Sequence, residues 1–223
     1  MTIKHLNYDE PVLRYHQIVA QTTADLAPFG GRVADLGCGP GQVIASLRNL
    51  RSDLAILGVD GDTECLRLAK QRCPEAALVQ DDIECPASDD VWDESFDVIM
   101  SSHSLEHIAD PVGALGRWRE MLADDGKLVI AVPNSLQPLL LAGALGRRPK
   151  ANAGHYFIWD RATFENFCRL AGFRILQSTF DYVPLATVRL RNRLPMIAKA
   201  ERALLKVAPQ FSNSHIVVLQ PVG

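Results

Sequence analysis

No run of about 18 uncharged apolar residues occurs in the chain, so no membrane-spanning helix is expected. Met1 to Leu26 lacks the order of a secretory leader, a charged start followed by an apolar stretch and small residues, and a cytoplasmic protein is the expectation. Cysteine is sparse. Its five residues (38, 65, 73, 85 and 168) form no Cys-x-x-Cys pair and have no histidine at ligand spacing, which points to reduced thiols and away from disulfides or zinc. No Gly-Lys-Ser/Thr follows the one glycine-rich stretch, which argues against a phosphate-cradling P-loop, and no Gly-x-Gly-x-x-Gly occurs there, which disfavours a nicotinamide dinucleotide.

What remains is ordinary globular composition: 223 residues, 48% hydrophobic and 22% charged, enough for one domain with a sizeable core. The net charge of −3 is unevenly spread. Residues 147–206 hold 12 Lys/Arg against 4 Asp/Glu, and the others hold 11 against 22. That asymmetry fits either an anionic partner for the basic part or a solvated helix face.

The stretch Arg32-Val-Ala-Asp-Leu-Gly-Cys-Gly-Pro-Gly41 reads as a strand turning sharply into a helix. Glycines at 37, 39 and 41 permit positive φ and remove side chains that would keep a ligand from bare N–H groups at a helix N-terminus. Asp35 precedes the turn, and Asp60 ends the next apolar run, Leu54–Val59. An acid at the carboxyl end of a second strand is placed to accept hydrogen bonds from two ribose hydroxyls.

Downstream the pattern alternates. Strands are expected at 32–36, 54–59, 76–79, 96–100 and 127–132, with helices at 42–50, after the Asp62 cap, and after Asp110-Pro111. Short links between alternating strands and helices imply a parallel, doubly wound sheet. Ahead of it, residues 8–27 read as an amphipathic helix capped by Asp9, with Val12, Tyr15, Val19 and Leu26 on one stripe. Asp160 caps a further helix that stops at Gly172, and Pro195 opens another with Ile197, Ala200 and Leu204 inward.

Asp35-Leu-Gly-Cys-Gly-Pro-Gly41, Gly58-Val-Asp60, Asp81-Asp82-Ile83, Phe96 to Ile108 and Ala171-Gly-Phe173 together resemble the ordered motifs of class I S-adenosylmethionine-dependent methyltransferases, in particular the small-molecule group with a single methyltransferase domain. The resemblance covers roughly residues 30–180. It implies a Rossmann-like α/β fold: a mostly parallel seven-stranded sheet with the last strand antiparallel. It also implies S-adenosyl-L-methionine as cofactor, held by Asp35, Gly37, Cys38, Gly39, Gly41, Asp60, Gly61, Asp82, Ile83, Ser102 and His103. Adenine would meet Asp82 and the Ile83 N–H, with Asp81 the neighbouring candidate.

The segments 135–159 and 182–212 exceed a minimal sheet and read as an acceptor-binding cap. Leu139–Leu145 and the basic 146–150 could form a lid, a pocket edge, or a peripheral contact with anionic lipid. His155, among aromatics, is the candidate general base. The expected reaction is methyl transfer to a hydroxyl of a small-molecule acceptor, anionic or apolar, of the kind of a metabolite, lipid-like or glycan precursor. No metal is called for, because alignment with an electrophilic methyl is most of the task. Nucleic acid is disfavoured: no Asn/Asp-Pro-Pro-Tyr/Phe run follows the fourth strand. The rival readings are a cofactor-binding partner protein without turnover and, further behind, a nicotinamide-dependent oxidoreductase.

Overall fold

The computed structural model describes residues 11–84, 95–136, 154–186, 190 and 193–222. The expectations for Tyr8, Asp9, Cys85, Leu139–Leu145, 146–150, Arg189 and Arg191 fall outside these residues. The strands are β1 (Arg32–Leu36), β2 (Ala55–Asp60), β3 (Ala77–Gln80), β4 (Phe96–Ser102), β5 (Leu122–Pro133), β6 (Phe173–Phe180) and β7 (Ser214–Pro221). They form one sheet in the order β3-β2-β1-β4-β5-β7-β6. Strands β1 to β5 pair in parallel, and β7 lies antiparallel between β5 and β6. The order reverses between β1 and β4, and there the carboxyl ends of the strands leave a crevice.

Alternation along each strand divides the core between the two faces. On one face Val33, Val98, Met100, Val129 and Ala131 meet α1 (Arg14–Leu26), α2 (Gln42–Leu50) and α3 (Thr63–Arg72) through Val19, Ala20, Val43, Ile44, Leu47 and Leu66. On the other, Ala34, Leu36, Ile99, Leu128, Ile130 and Val132 meet α4 (Pro111–Glu120) and α5 (Arg161–Leu170) through Leu115, Trp118, Phe164 and Cys168. The caps act locally. Asp62 accepts the Glu64 and Cys65 N–H groups, Asp110 accepts Gly113 N–H ahead of Pro111, and Asp160 and Thr163 cap α5 reciprocally. The Arg51 guanidinium closes the far end of α1, donating to the carbonyls of Ala24, Ala27 and Pro28 while paired with Asp53. No helix among the described residues is long and apolar enough to cross a membrane.

Four expectations are corrected. Helix α1 starts at Arg14, not near Asp9: Pro11 and Val12 precede it, Val12 is 46% exposed, and the His16 Nδ1 accepts the Leu13 N–H at 2.9 Å in place of a carboxylate cap. Strand β4 continues through Ser101 and Ser102. Strand β5 begins at Leu122, not at Lys127, because Phe96 pairs with Leu122 and Val98 with Lys127; Asp125-Gly126 is thus an irregularity inside the strand. Gly126 is buried there, where a Cβ would stand 2.9 Å from the carbonyl oxygens of Ala123 and Phe96. In α6 (Pro195–Leu205) the buried position is Glu201, and Ala200 is exposed. The helix turns Glu201 inward because its Oε1 accepts the Leu185 N–H at 3.0 Å.

Candidate functional site

The glycine loop leaves β1 with φ of +77° at Gly37, +52° at Gly39 and +80° at Gly41, values that favour glycine at each position. Its amides are not bare, contrary to the expectation from the sequence. Gly37 and Cys38 both donate to Val59 O (2.9 and 3.0 Å), Gly39 donates to Asp60 Oδ2 (2.8 Å), and Gly41 to Cys38 O (3.1 Å). The loop knots itself to the end of β2, and Gly39, with Gly61 just past β2, supplies room, while Gly41 packs against Ala69, where an added Cβ would stand 2.9 Å from that of Ala69. A Cβ at Gly39 would meet nothing within 4 Å, and one at Gly61 only the Asp81 carbonyl at 3.9 Å. Gly37 is different: a Cβ there would collide with Ser104, whose Oγ donates to the Gly37 carbonyl at 3.1 Å. Cys38 is a packed core thiol, pushed well above its ordinary pKa by burial and by Asp35 and Asp60.

Two carboxylates flank this space. Asp60 faces the loop: Oδ2 takes the Gly39 N–H, and Oδ1 takes the Asp62 N–H at 2.8 Å. Burial raises its pKa, while those two amides pull the other way. A carboxylate offers about four lone-pair sites, so two remain for a ligand. Asp35 is 1% exposed, and neither of its oxygens has a hydrogen-bond partner. Burial first, then the charge of Asp60, push its pKa up to about 8. A buried acid without a partner is costly, and a bound cation is the natural complement.

The raised pKa has a consequence for the cofactor-free protein. A carboxyl that holds its proton more tightly folded than unfolded contributes stability that is full below its ordinary value of 3.8 and lost as pH rises through about 8. The melting temperature therefore falls between about pH 6.5, above which the depressed His16, His103 and His215 no longer gain stability with pH, and about pH 8, and Asp35→Asn flattens that fall in a thermal-denaturation series. Glu106, also raised to about 8, acts in the same direction, so the decline shrinks without vanishing.

At the end of β3, Gln80 pairs with Asp60 across the sheet, which brings the 81–83 segment beside the loop. Asp81 is buried and its Oδ1 accepts the Asp82 N–H at 2.7 Å. Asp82 is exposed, with Oδ1 on the Glu84 N–H at 2.8 Å. Ile83 is partly buried against the α4 side of the core, and its carbonyl accepts the Trp118 indole N–H at 3.1 Å.

The carboxyl end of β4 carries the polar cluster. Ser101 is spent on structure, donating to Leu36 O at 2.8 Å, whereas the buried Ser102 Oγ has no partner. His103 takes φ +55°, stacks on Tyr15 with ring centroids 4.1 Å apart, and pairs with Ser214 Oγ at 2.9 Å. Burial, then the charges of His16, His155 and His107, depress its pKa to about 3. Glu106, 1% exposed, has no partner on either oxygen. Its carbonyl accepts the Tyr156 and Phe157 N–H groups at 2.8 and 3.3 Å, sewing the 154–157 loop to the crevice. His107 donates from Nδ1 to the Gly154 carbonyl at 3.0 Å, and the His155 ring stands edge-on to it at 4.6 Å. Burial and the neighbouring His107 lower the His155 pKa. Trp159 does not face the crevice: it is core, packed with Phe157, Phe164 and Phe167.

The reading of sequence thus reached His155 but passed over Glu106 and His107 as partners for it. The only available signal was an acid–histidine pair just past a strand that ends at the crevice.

A parallel sheet with a glycine turn, an acid at the tip of the second strand and a roomy carboxyl edge defines a protein that holds a nucleoside-bearing cofactor. Residues 13–178 match the family model described as a methyltransferase domain, and the chain belongs to the class I S-adenosylmethionine-dependent methyltransferases. It is an enzyme of that chemistry, with S-adenosylmethionine as its cofactor. The ubiquinone biosynthesis O-methyltransferase of Actinobacillus pleuropneumoniae serotype 5b (strain L20) is 30% identical over 158 residues, covering 66% of this chain and 67% of that protein. Other relatives of the same name are matched over 49–52% of their length. In fold, the chain is similar to a complex between the Haloferax volcanii Trm112 methyltransferase activator and a methyltransferase (TM-score 0.66, 18% identity, covering 94% and 91% of the two chains). A methyltransferase of Clostridium acetobutylicum ATCC 824 gives a TM-score of 0.64 at 13% identity, covering 96% and 94%.

Proposed function

We propose that this enzyme methylates a hydroxyl of a small, largely apolar acceptor, with His155 taking the hydroxyl proton. The observation that carries this reading is the lip of the crevice: Tyr156 and Ile158 stay 61% and 53% exposed beside a half-buried imidazole held below its usual pKa. Exposed apolar side chains next to a neutral base suit a greasy alcohol or phenol. The O-methyltransferase relatives support oxygen as the attacking atom. In this reading 154–159 and 193–212, among the described parts of the two inserts, belong to the cap over the acceptor.

The residues around the loop fit the cofactor. Asp60 would take the ribose hydroxyls, Gly39 and Gly61 would leave room for the cofactor, and Gly37, Cys38 and Gly41 would hold the turn beneath it. Asp82 and Ile83 would meet adenine; Asp35, Ser102 and His103 would surround the amino-acid end, where a cation completes the unpartnered carboxylate. When bound, S-adenosylmethionine supplies a methyl group already activated by its sulfonium. The protein's own part would be to hold the acceptor oxygen facing that methyl, keep water out with the aromatic lip, and accept the hydroxyl proton on the His155 ring as the carbon–sulfur bond gives way to the C–O bond.

The test is methyl transfer from labelled cofactor to a panel of phenols and aliphatic alcohols, with products identified by mass. His155→Ala lowers kcat roughly 100-fold, the low end of a general-base contribution, and leaves cofactor affinity unchanged. Equal turnover by both proteins would remove His155 from proton transfer, and labelling only of nitrogen or sulfur acceptors would overturn the oxygen assignment.

A further inference from the structure

We propose that Glu106, His107 and His155 form a binding site for a divalent transition-metal ion of the zinc or cobalt type. Each contributes one ligand atom, and the three atoms lie within 4.8 Å of one another. Two imidazoles and one carboxylate are donors such ions accept, and three protein ligands leave at least one coordination position open to a small molecule.

Three independent features support the assignment. The Glu106 carboxyl is buried with no hydrogen bond on either oxygen, so the fold holds an acid whose lone pairs are uncommitted. The His103 ring nitrogen Nδ1 stands 3.9 Å from this carboxyl, beyond hydrogen-bond range. His107 is oriented as metal-ligating histidines usually are: Nδ1–H is fixed on a backbone carbonyl, that of Gly154, which leaves Nε2 as the free donor. The two ligand-bearing segments are also already joined, by the hydrogen bonds from Tyr156 and Phe157 to the Glu106 carbonyl, so no large rearrangement is needed to assemble the set. Bond lengths of about 2.0–2.2 Å require the donors to close in somewhat from their present spacing, which side-chain torsions supply.

The site lies on the same lip as the proposed acceptor pocket. It shares His155 with the function proposed above, and the two roles alternate: the metal-free ring takes the proton, and an ion on it blocks that step, so bound metal is expected to inhibit the transfer. The two readings are therefore separable.

The experiment uses untagged full-length protein stripped with a chelator and titrated with Co2+, followed by visible d–d absorption, with Zn2+ stoichiometry measured by elemental mass spectrometry. One ion per chain is expected, and affinity falls by more than about 10-fold in both His155→Ala and Glu106→Gln. Cofactor binding by each variant reports that it is folded. Should Glu106→Gln fail to fold, His155→Ala, on an exposed loop, decides alone. No uptake by the unsubstituted protein, or uptake undiminished in the variants, overturns the metal site. That outcome leaves the His155 base standing, which is read from turnover of the stripped enzyme. Cobalt binding together with unimpaired turnover by His155→Ala overturns the base and leaves the metal.

Discussion

Asp60→Ala weakens S-adenosylmethionine binding by roughly 100- to 10,000-fold in isothermal titration calorimetry. The carboxylate is the group placed to receive two ribose hydroxyls, and hydrogen bonds to a charged partner are worth about 1.5–3 kcal/mol each. Part of the loss has a second origin, because the same side chain ties down the Gly39 and Asp62 amides. Asp60→Asn separates the two. It preserves an acceptor for one amide but removes the charge, and its affinity should fall between those of the parent and the alanine variant. Calorimetry that finds Asp60→Ala equal to the parent would remove Asp60 from the cofactor site, whatever the fold.

Trp118→Ala destabilises the protein by about 3–5 kcal/mol, the usual cost of emptying a fully buried large aromatic position. The side chain is 0% exposed at the centre of the face formed by Ile99, Leu128 and the helices α4 and α5. At about 2–4 °C per kcal/mol for a chain of this size, the melting temperature drops by roughly 6–20 °C. Trp118→Phe refills most of the volume but cannot donate to the Ile83 carbonyl. It should recover most of the stability while still weakening cofactor binding, since Ile83 is the wall proposed for adenine. A denaturant midpoint for Trp118→Ala within about 0.5 kcal/mol of the parent would contradict the burial, because surface substitutions fall in that range.

Much of the architecture was legible in the chain because it rests on local rules. The strand-turn-helix at 32–42 follows from three glycines after an apolar run, and the caps at Asp62, Asp110 and Asp160 from single carboxylates beside their own helices. Asp60 could be singled out because its position depends only on where one strand ends. The features that escaped depend on distant partners. Asp35 was marked by its place before the glycine turn but not as an acid without a partner, and Glu106 was marked by nothing local, because burial statistics place almost no lone charge inside a core. The pairing of His107 with His155 needs the 154–157 loop to fold back onto Glu106, a contact no periodicity encodes. The same holds for α1: its start is set by the His16 ring acting on Leu13, not by the acid that the sequence offers earlier. Bare amides at the glycine loop were a reasonable expectation until the carbonyl of Val59 and the carboxylate of Asp60 were seen to claim them.

The fork made by Arg51 fixes where the first helix ends. One guanidinium clamps three carbonyls there, and some 11 residues back, about 17 Å along the axis, the buried start of the helix sets Tyr15 onto His103. Lysine, a single point of charge, cannot grip all three, so a conservative change at that end would be felt as misalignment at the start.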